Sequence, residues 1–510
     1  MDTKTPVLKL SHLTKRFGRV VANEDVCLDV YEGEILALLG ENGSGKTTLM
    51  NMISGIYFPD EGEIYFKGEP VVIASPKDAF SLGIGMIHQH FKLVDVLSAA
   101  ENIILGMEEK PDLNKSADRI QAICKKYGFD IDPYKKIYEM SVSEKQTVEI
   151  VKVLYRGAQL LILDEPTAVL TPQEMEKLFE VLRNMKQDGK SVIIITHKLQ
   201  EVLDISDRVA ILRKGRYICD VETASANVQE LTDAMVGHSV SLNIERPEPV
   251  NPQKRIVVEN LTVFDEEGVC KLKDVSFTAK SGEIIGIAGI AGNGQKELLE
   301  AIAGLQQVDS GHIYYIGDDE SRQELIGKDP LEIMDLGVAL SFVPEDRLGM
   351  GLVANMGLAD NMMLRSFRKG NSVFTDRKSP RELAASIVER LEVNTPGIAT
   401  MVRKLSGGNV QKVLVGREIS TAPTVLLTAY AVRGLDIHSS YTIYDLINQQ
   451  KRAGVAVVYV GEDLDVLLEL CDRILVLCDG QVSGLLDARE TDKREVGYLM
   501  TNLRGEAHAQ

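Results

Sequence analysis

The sequence predicts an α/β protein built twice over, as two tandem domains that each wrap a mainly parallel sheet in helices. Three observations predict it. A glycine-rich loop runs Gly40-Glu-Asn-Gly-Ser-Gly-Lys-Thr-Thr48, and an altered copy stands at Gly289-Ile-Ala-Gly-Asn-Gly-Gln-Lys-Glu297. In each half, apolar strand-like runs alternate with helical patterns, the signature of a helix-covered parallel sheet. The two loops share a register of 249 (289 − 40), and Gly33-Glu-Ile against Gly282-Glu-Ile keeps it, so the chain contains an internal duplication.

Taken in order, each half opens with a short alternating segment, Val7-Leu-Lys-Leu10 and Val257-Val-Glu-Asn260, which reads as an edge strand. An apolar strand then runs into each loop, Ile35-Leu-Ala-Leu-Leu39 and Ile284-Ile-Gly-Ile-Ala288, and a helical pattern follows over 47–54 and 296–303. Strand, glycine turn and helix together make the context of a phosphate site. Further β runs, Leu160-Leu-Ile-Leu163 and Val192-Ile-Ile-Ile195, flank a helical stretch over 173–187. Residues 243–254, with three prolines and no periodicity, read as a linker between a first domain at 1–242 and a second at 255–510.

A chain of 510 residues is too long for one ordinary core. Its net charge of −18, with no basic block, disfavours nucleic acid as a partner. Six cysteines without C-x-x-C spacing read as buried thiols in a reducing compartment. The N-terminus carries no signal-peptide pattern, and no apolar run is long enough to span a bilayer, so any membrane role is expected to be peripheral and through a partner.

The loop of the first half fits G-x-x-x-x-G-K-[ST] in full. Its glycines let backbone N–H groups converge on phosphate oxygens, and the following helix adds its positive end. Lys46 is expected to reach the outer phosphates and Thr47 to hold Mg²⁺ through its hydroxyl. Leu160-Leu-Ile-Leu-Asp-Glu-Pro166 is a buried strand delivering two carboxylates at its C-terminal end, where α/β sheets bind ligands. Asp164 suits the metal and Glu165 suits the base that orients the attacking water. His197 and Gln89 each follow an apolar strand. The histidine is placed to contact a γ-phosphate, the glutamine to sense metal or water. Phe17 offers an aromatic face for a base, the alternative being a plain strand-end hydrophobe.

The set Gly40–Thr48, Gln89, Ser141-Val-Ser-Glu-Lys-Gln146, Leu160–Glu165 and His197 resembles the ATP-binding-cassette ATPases, and Leu405-Ser-Gly-Gly-Asn-Val-Gln411 repeats that family's signature in the second half. The likeness covers nearly the whole chain. It implies two tandem P-loop cassettes, each with a mainly parallel sheet core, an antiparallel β subdomain and a helical subdomain. The stretches Leu161–Glu174, Val343-Pro-Glu-Asp-Arg347 and Arg433-Gly-Leu-Asp436 resemble the tandem ATP-binding subunits of simple-sugar and nucleoside importers, and His88-Gln-His-Phe91 resembles the nucleoside branch.

That resemblance implies ATP and Mg²⁺ as cofactors, with Gly40, Glu41, Asn42, Gly43, Ser44, Gly45, Lys46, Thr47, Thr48 and Phe17 binding nucleotide. It implies Glu165, His197 and Gln89 as catalytic residues, and Thr47, Gln89 and Asp164 at the metal. Its partners are integral-membrane permease subunits and, indirectly, an extracytoplasmic solute-binding protein, with the chain at the cytoplasmic face of the membrane. In this family the phosphate loop of one cassette works with the signature of the other, which assigns Ser406, Gly407, Gly408 and Asn409 to the first-half loop. The alternatives are a soluble tandem cassette acting on ribosomes or DNA, and a nucleotide-sensing regulator.

From the signature onward the register becomes 265 (406 − 141). In the second half Lys46 becomes Gln295, Thr47 becomes Lys296, Asp164 becomes Ala429, Glu165 becomes Tyr430 and His197 becomes Glu462, while Gln89 falls near Glu345. Val142 and Ser143 replace the signature glycines in the first half. The intact loop is thus matched with the intact signature and the altered loop with the altered one, which predicts one working site and one structural or regulatory site.

Overall fold

The computed structural model describes residues 5–88, 91–107, 112–167, 170–196, 198–237, 242–265, 267–367 and 375–502. The chain divides into two compact units, Met1–Ser241 and Leu242–Gln510.

In the first unit a six-stranded sheet runs in the order Arg216–Glu222, Arg208–Arg213, Ile35–Leu39, Ser191–Ile195, Leu160–Asp164, Ile84–Ile87. Every neighbouring pair is parallel except the first, which is antiparallel. The strands Ile35–Leu39 and Ser191–Ile195 are buried at every residue, because helices cover both faces of a parallel sheet and favour continuous Leu, Ile and Val. The antiparallel strand Arg216–Glu222 alternates instead between exposed and half-buried residues. Parallel pairing brings the C-terminal ends of Ile35–Leu39, Leu160–Asp164 and Ser191–Ile195 to one edge of the sheet, and everything that positions the site follows from this.

A second, antiparallel sheet has the order Val20–Tyr31, Pro6–Phe17, Glu61–Phe66, Glu69–Val71. The expectation of an edge strand at 7–10 is corrected here: Pro6–Phe17 is paired on both sides, as is Lys254–Phe264 in the second unit. Alternation reports that one face of a strand is wet, and says nothing about how many neighbours it has. The helices Ala99–Ile104, Leu113–Tyr127 and Val142–Tyr155 pack a separate small core around Ile103, Ile120 and Val151.

The second unit repeats this plan strand for strand, with a sheet order of Gln481–Asp487, Arg473–Cys478, Ile284–Ala288, Ala456–Val460, Val425–Ala429, Leu340–Val343. Leu340–Val343 takes the place of Ile84–Ile87 at an offset of 256 (340 − 84), which puts position 89 opposite Glu345. Residues 244–248, within the expected linker, are fastened to the second unit. Ile244 is buried, the Arg246 guanidinium donates to the carbonyls of Leu468 and Cys471 at 2.8 and 3.0 Å, and Arg489 pairs with Glu248.

Candidate active site

In the first unit, Leu39 leaves the sheet and the chain turns through Gly40–Gly45 before the helix Lys46–Ile53. Glycine is needed at two points of close approach. A Cβ on Gly45, at φ 97°, would lie 2.4 Å from the carbonyl of Ala22. A Cβ on Gly40 would lie 2.3 Å from the carbonyl of Leu212. The loop is braced from behind: Asn23 Nδ2 donates to the Gly45 carbonyl at 3.2 Å, and Gly215 N donates to the Ser44 carbonyl at 3.0 Å. These two bonds hold the loop's carbonyls from behind and fix its path, as an anion cradle requires. The buried Ser44 hydroxyl has no partner within the protein, and it sits in that same cradle.

Lys46 is buried, and its Nζ donates to the carbonyls of Gly40 and Glu41 at 2.6 and 3.0 Å. Burial pulls its pKa down, while Glu165, Asp164 and Glu41 oppose that shift. Asp164 ends the strand Leu160–Asp164, and burial, reinforced by the Glu165 charge, pushes its pKa up to about 6 against the pull of Lys46. A buried ammonium and two carboxylates thus share one sheet edge. This donor set fits a phosphate chain with its divalent cation, because a cation at Asp164 restores the ionised form that burial disfavours.

Glu165 itself adopts a left-handed backbone, φ 49°, with its N–H bonded to the Ile195 carbonyl at 2.8 Å. Tyr430 repeats this, at φ 50° and with its N–H on the Val460 carbonyl at 2.9 Å, so the unusual turn belongs to the fold and not to the chemistry. Pro166, next in sequence, accepts 2.6 Å from the buried Gln146 Nε2. Sequence reasoning missed that tie, although Gln146 has a counterpart, Gln411, at the same register.

Gln89 and His197 lie outside the described residues. Phe17 is exposed at the end of its strand and meets Tyr57 edge-to-face at 5.2 Å between ring centroids. At the corresponding place in the second unit, Asp265 accepts backbone N–H bonds from Glu267 and Val269, a turn-forming role.

The two signature segments differ in how their helices begin. Ser141 and Glu144 form a capping box, with Glu144 Oε2 on Ser141 N at 2.7 Å, so the helix Val142–Tyr155 starts on its own carboxylate. The helix Gly407–Ile419 starts on Ser406, has no acidic residue in its first turn, and holds Asn409 through Asn394 N at 2.9 Å. The second of these ends is neutral and glycine-lined, which favours an anion, whereas the first is already occupied by Glu144, itself paired with Lys135 at 2.6 Å.

The altered site of the second unit is rebuilt with ion pairs. Gln295 is buried, and its Nε2 donates to the Ile290 carbonyl at 3.0 Å, a neutral version of the Lys46 contact. Arg433 pairs with Glu345 and with Glu462, the latter at 2.9 Å, and its guanidinium lies 5.8 Å from the Tyr430 ring centroid. The counterparts of Gln89, Glu165 and His197 are therefore gathered around one cation, and Lys296 pairs along its own helix with Glu300 at 3.7 Å.

A duplicated parallel-sheet cassette with a phosphate loop, a strand-end Asp-Glu and a signature helix defines the ABC transporter family. The chain belongs to it: the family's ABC transporter description matches residues 23–168 and 272–428. It is an ATP-binding ATPase in tandem-cassette form. It is 41% identical over 501 residues to the nucleoside import ATP-binding protein NupA of Lactococcus lactis subsp. cremoris, covering 97% of this chain and 98% of that one. It is 41% identical, over 97% of both chains, to the guanosine import ATP-binding protein NupO of Bacillus subtilis. It is 39% identical to the glucose import ATP-binding protein TsgD13 of Haloferax volcanii, covering 98% of this chain and 96% of that one.

Proposed function

We propose that this chain hydrolyses Mg-ATP at one site, built on the first unit, to drive uptake of a nucleoside through separate integral-membrane permease subunits. The observation that carries the chemistry is the shared sheet edge of Lys46, Asp164 and Glu165 in the first unit, set against Gln295, Ala429 and Tyr430 in the second. The nucleoside assignment rests on the two import subunits at 41% identity and on the residues around His88. No helix among the described residues is long and apolar enough to cross a membrane; in this reading the chain works as a peripheral subunit at the cytoplasmic face, as its import-subunit relatives suggest. An extracytoplasmic binding protein would present the solute to the permease. Relatives that are import subunits do not favour a ribosome- or DNA-acting protein.

The loop amides and Lys46 hold the outer phosphates; Thr47 and Asp164, with Gln89, are the residues that would hold Mg²⁺. When bound, the ion would supply positive charge to offset that developing on the transferred phosphoryl group. Glu165 orients the attacking water and accepts its proton, and His197 steadies the γ-phosphate. Ser406, Gly407, Gly408 and Asn409 are further nucleotide-binding residues in this reading, at an uncharged helix start that the first unit's own signature segment lacks. Tyr430 cannot take a proton from water: burial and the nearby Glu345 and Glu462 push its pKa up to about 12.

ATPase assays on the full chain with its permease subunits test the reading. Glu165→Gln is expected to lower kcat by about 10²–10⁴-fold, the usual contribution of a positioned base. Gln295→Lys is expected to leave kcat within about twofold, since Ala429 and Tyr430 still lack the partner carboxylates. Turnover that survives Glu165→Gln would locate the chemistry elsewhere and sink the one-site assignment.

A further inference from the structure

We propose that Glu201 is a positioning residue for the hydrolytic carboxylate, clamping the segment that follows Glu165 to the end of the neighbouring strand. The proposal rests on the reading of Glu165 given above.

Glu201 lies in the helix Leu199–Ile205 and is only 4% exposed, yet no phosphate or metal role has been assigned to it. Its Oε2 accepts from Thr167 Oγ1 at 2.5 Å and from Thr196 Oγ1 at 3.4 Å. Both threonines are 2% exposed. Lys198 completes the cluster: its Nζ lies 3.1 Å from Glu201 Oε1 and donates to the Thr167 carbonyl at 3.3 Å, and its N–H donates to Thr196 Oγ1 at 3.1 Å. Thr167 is two residues past Glu165, and Thr196 directly follows the strand Ser191–Ile195 whose last carbonyl, on Ile195, receives the Glu165 N–H. One buried carboxylate thus ties both sides of the turn that aims Glu165.

A buried carboxylate with hydroxyl partners is ordinarily a fold requirement, and the second unit tests that explanation. At the register of 265 (437 − 172, the starts of the corresponding helices), Thr167, Thr196, Lys198 and Glu201 become Val432, Gly461, Asp463 and Val466. Every member of the cluster is replaced. The same strands, the same helix and the same left-handed turn form without it, with Val432 and Val466 packed on the apolar core. A side chain at Gly461 would meet the ring of the fully buried Tyr459 at 2.7 Å, so an aromatic ring, not a hydroxyl–carboxylate clamp, fills this place. The fold does not need the clamp. It is present where the carboxylate at 165 is present and missing where that position is a tyrosine.

The test uses the full chain with its permease subunits. Glu201→Val together with Thr167→Val and Thr196→Gly installs three of the four residues that the second unit carries, leaving Lys198 in place; Thr167→Val alone removes one hydroxyl at nearly constant shape. A misaimed catalytic group costs about 10²-fold for a displacement of about 1 Å. The triple variant is expected to lose about 10²-fold in kcat with the Mg-ATP KM within about threefold, and the single variant to lose about tenfold. On a Glu165→Gln background the same changes are expected to cost nothing further, because both act through one group. Unchanged kcat in Thr167→Val and in the triple variant would overturn the proposal. So would losses that add in full on the Glu165→Gln background, or that follow the melting temperature, since these mark a purely structural role. If Glu165→Gln alone leaves turnover intact, the reading of Glu165 fails first, a result separable from any effect of Glu201.

Discussion

At the edge where the parallel strands begin, the two units are near copies. Asp207 accepts from Ile35 N at 2.9 Å and pairs with Lys186, and Asp472 accepts from Ile284 N at 2.8 Å and pairs with Lys451. Glu34 pairs with Arg208, and Glu283 with Arg473. At the opposite edge, where the strands end, the charged residues of the first unit's site are not repeated: Lys46, Asp164 and Glu165 correspond to Gln295, Ala429 and Tyr430. One edge holds the sheet together and the other carries chemistry, so the second could be rewritten without disturbing the first. The rewriting is also coherent. A buried lysine without carboxylates, or carboxylates without a lysine, would leave uncompensated buried charge, so the charged set was lost together.

The retained edge offers the largest effect. Lys451 and Asp472 are 1% and 9% exposed, whereas Lys186 and Asp207 are 37% and 38% exposed. Removing one partner of a buried pair costs about 3–5 kcal/mol, and an exposed pair is worth about 0–1 kcal/mol. Asp472→Asn keeps an oxygen for the Ile284 N–H but strands Lys451. In calorimetry the second-unit transition is expected to fall by about 6–20 °C, at about 2–4 °C per kcal/mol for a unit of this size. Asp207→Asn is expected to move the first-unit transition by less than about 4 °C. Equal shifts would show that the edges are alike in sequence and in energetics, and that burial does not separate them.

The rewritten edge is probed by exchanging its central residue. Lys46→Gln is expected to weaken ATP binding by about 10²-fold, the loss of charge-assisted bonds worth about 1.5–3 kcal/mol each. Gln295→Lys places an ammonium at a buried position beside Ala429 and Tyr430, with no carboxylate of the Asp164 kind. It is expected to lower the melting temperature of the second unit and to add no nucleotide binding, read by titration with a fluorescent ATP analogue. A new high-affinity site in Gln295→Lys would break the comparison, since a single residue would then have separated the two halves.

Much of this was legible in the chain itself. Four apolar residues ending in Asp164-Glu165, taken together with the phosphate loop, read as a covered strand delivering acids to its edge, and a strict register exposed the duplication. What was not legible depends on residues far apart in sequence. Glu345, Arg433 and Glu462 form one cluster only because three parallel strands end together. The Glu201 clamp was hidden for the same reason, although its replacement by valine at the repeat register was available as a signal. The pairing of Pro6–Phe17 on both sides escaped notice because alternation is insensitive to strand neighbours. In the first-half signature the motif points to Val142 and Ser143 alone, and is silent on Glu144, whose physical effect is to close a helix start with its own carboxylate.

The smallest effect concerns the cost of keeping Asp164. Its carboxyl, ordinarily at 3.8, is raised to about 6 in the fold, so between those values the folded chain holds a proton that the unfolded chain has released. Stability therefore falls as pH rises from about 4 to about 6, and above that the first unit carries a desolvated charge throughout. Asp164→Asn removes the charge. It is expected to stabilise the first unit by about 1–3 kcal/mol at pH 7.5 and to bring no gain at pH 4, while abolishing turnover. The converse substitution, Ala429→Asp, is expected to give the second unit a further loss of stability with rising pH, beyond that from the carboxyls of Glu300 and Glu469, whose pKa values desolvation raises. Melting curves of both variants across pH 4–8 check the sign. If Asp164→Asn stabilises equally at both ends of that range, the effect is packing and not charge. The difference between the two edges would then have to be argued without the electrostatic cost of holding a buried carboxylate at the end of that strand.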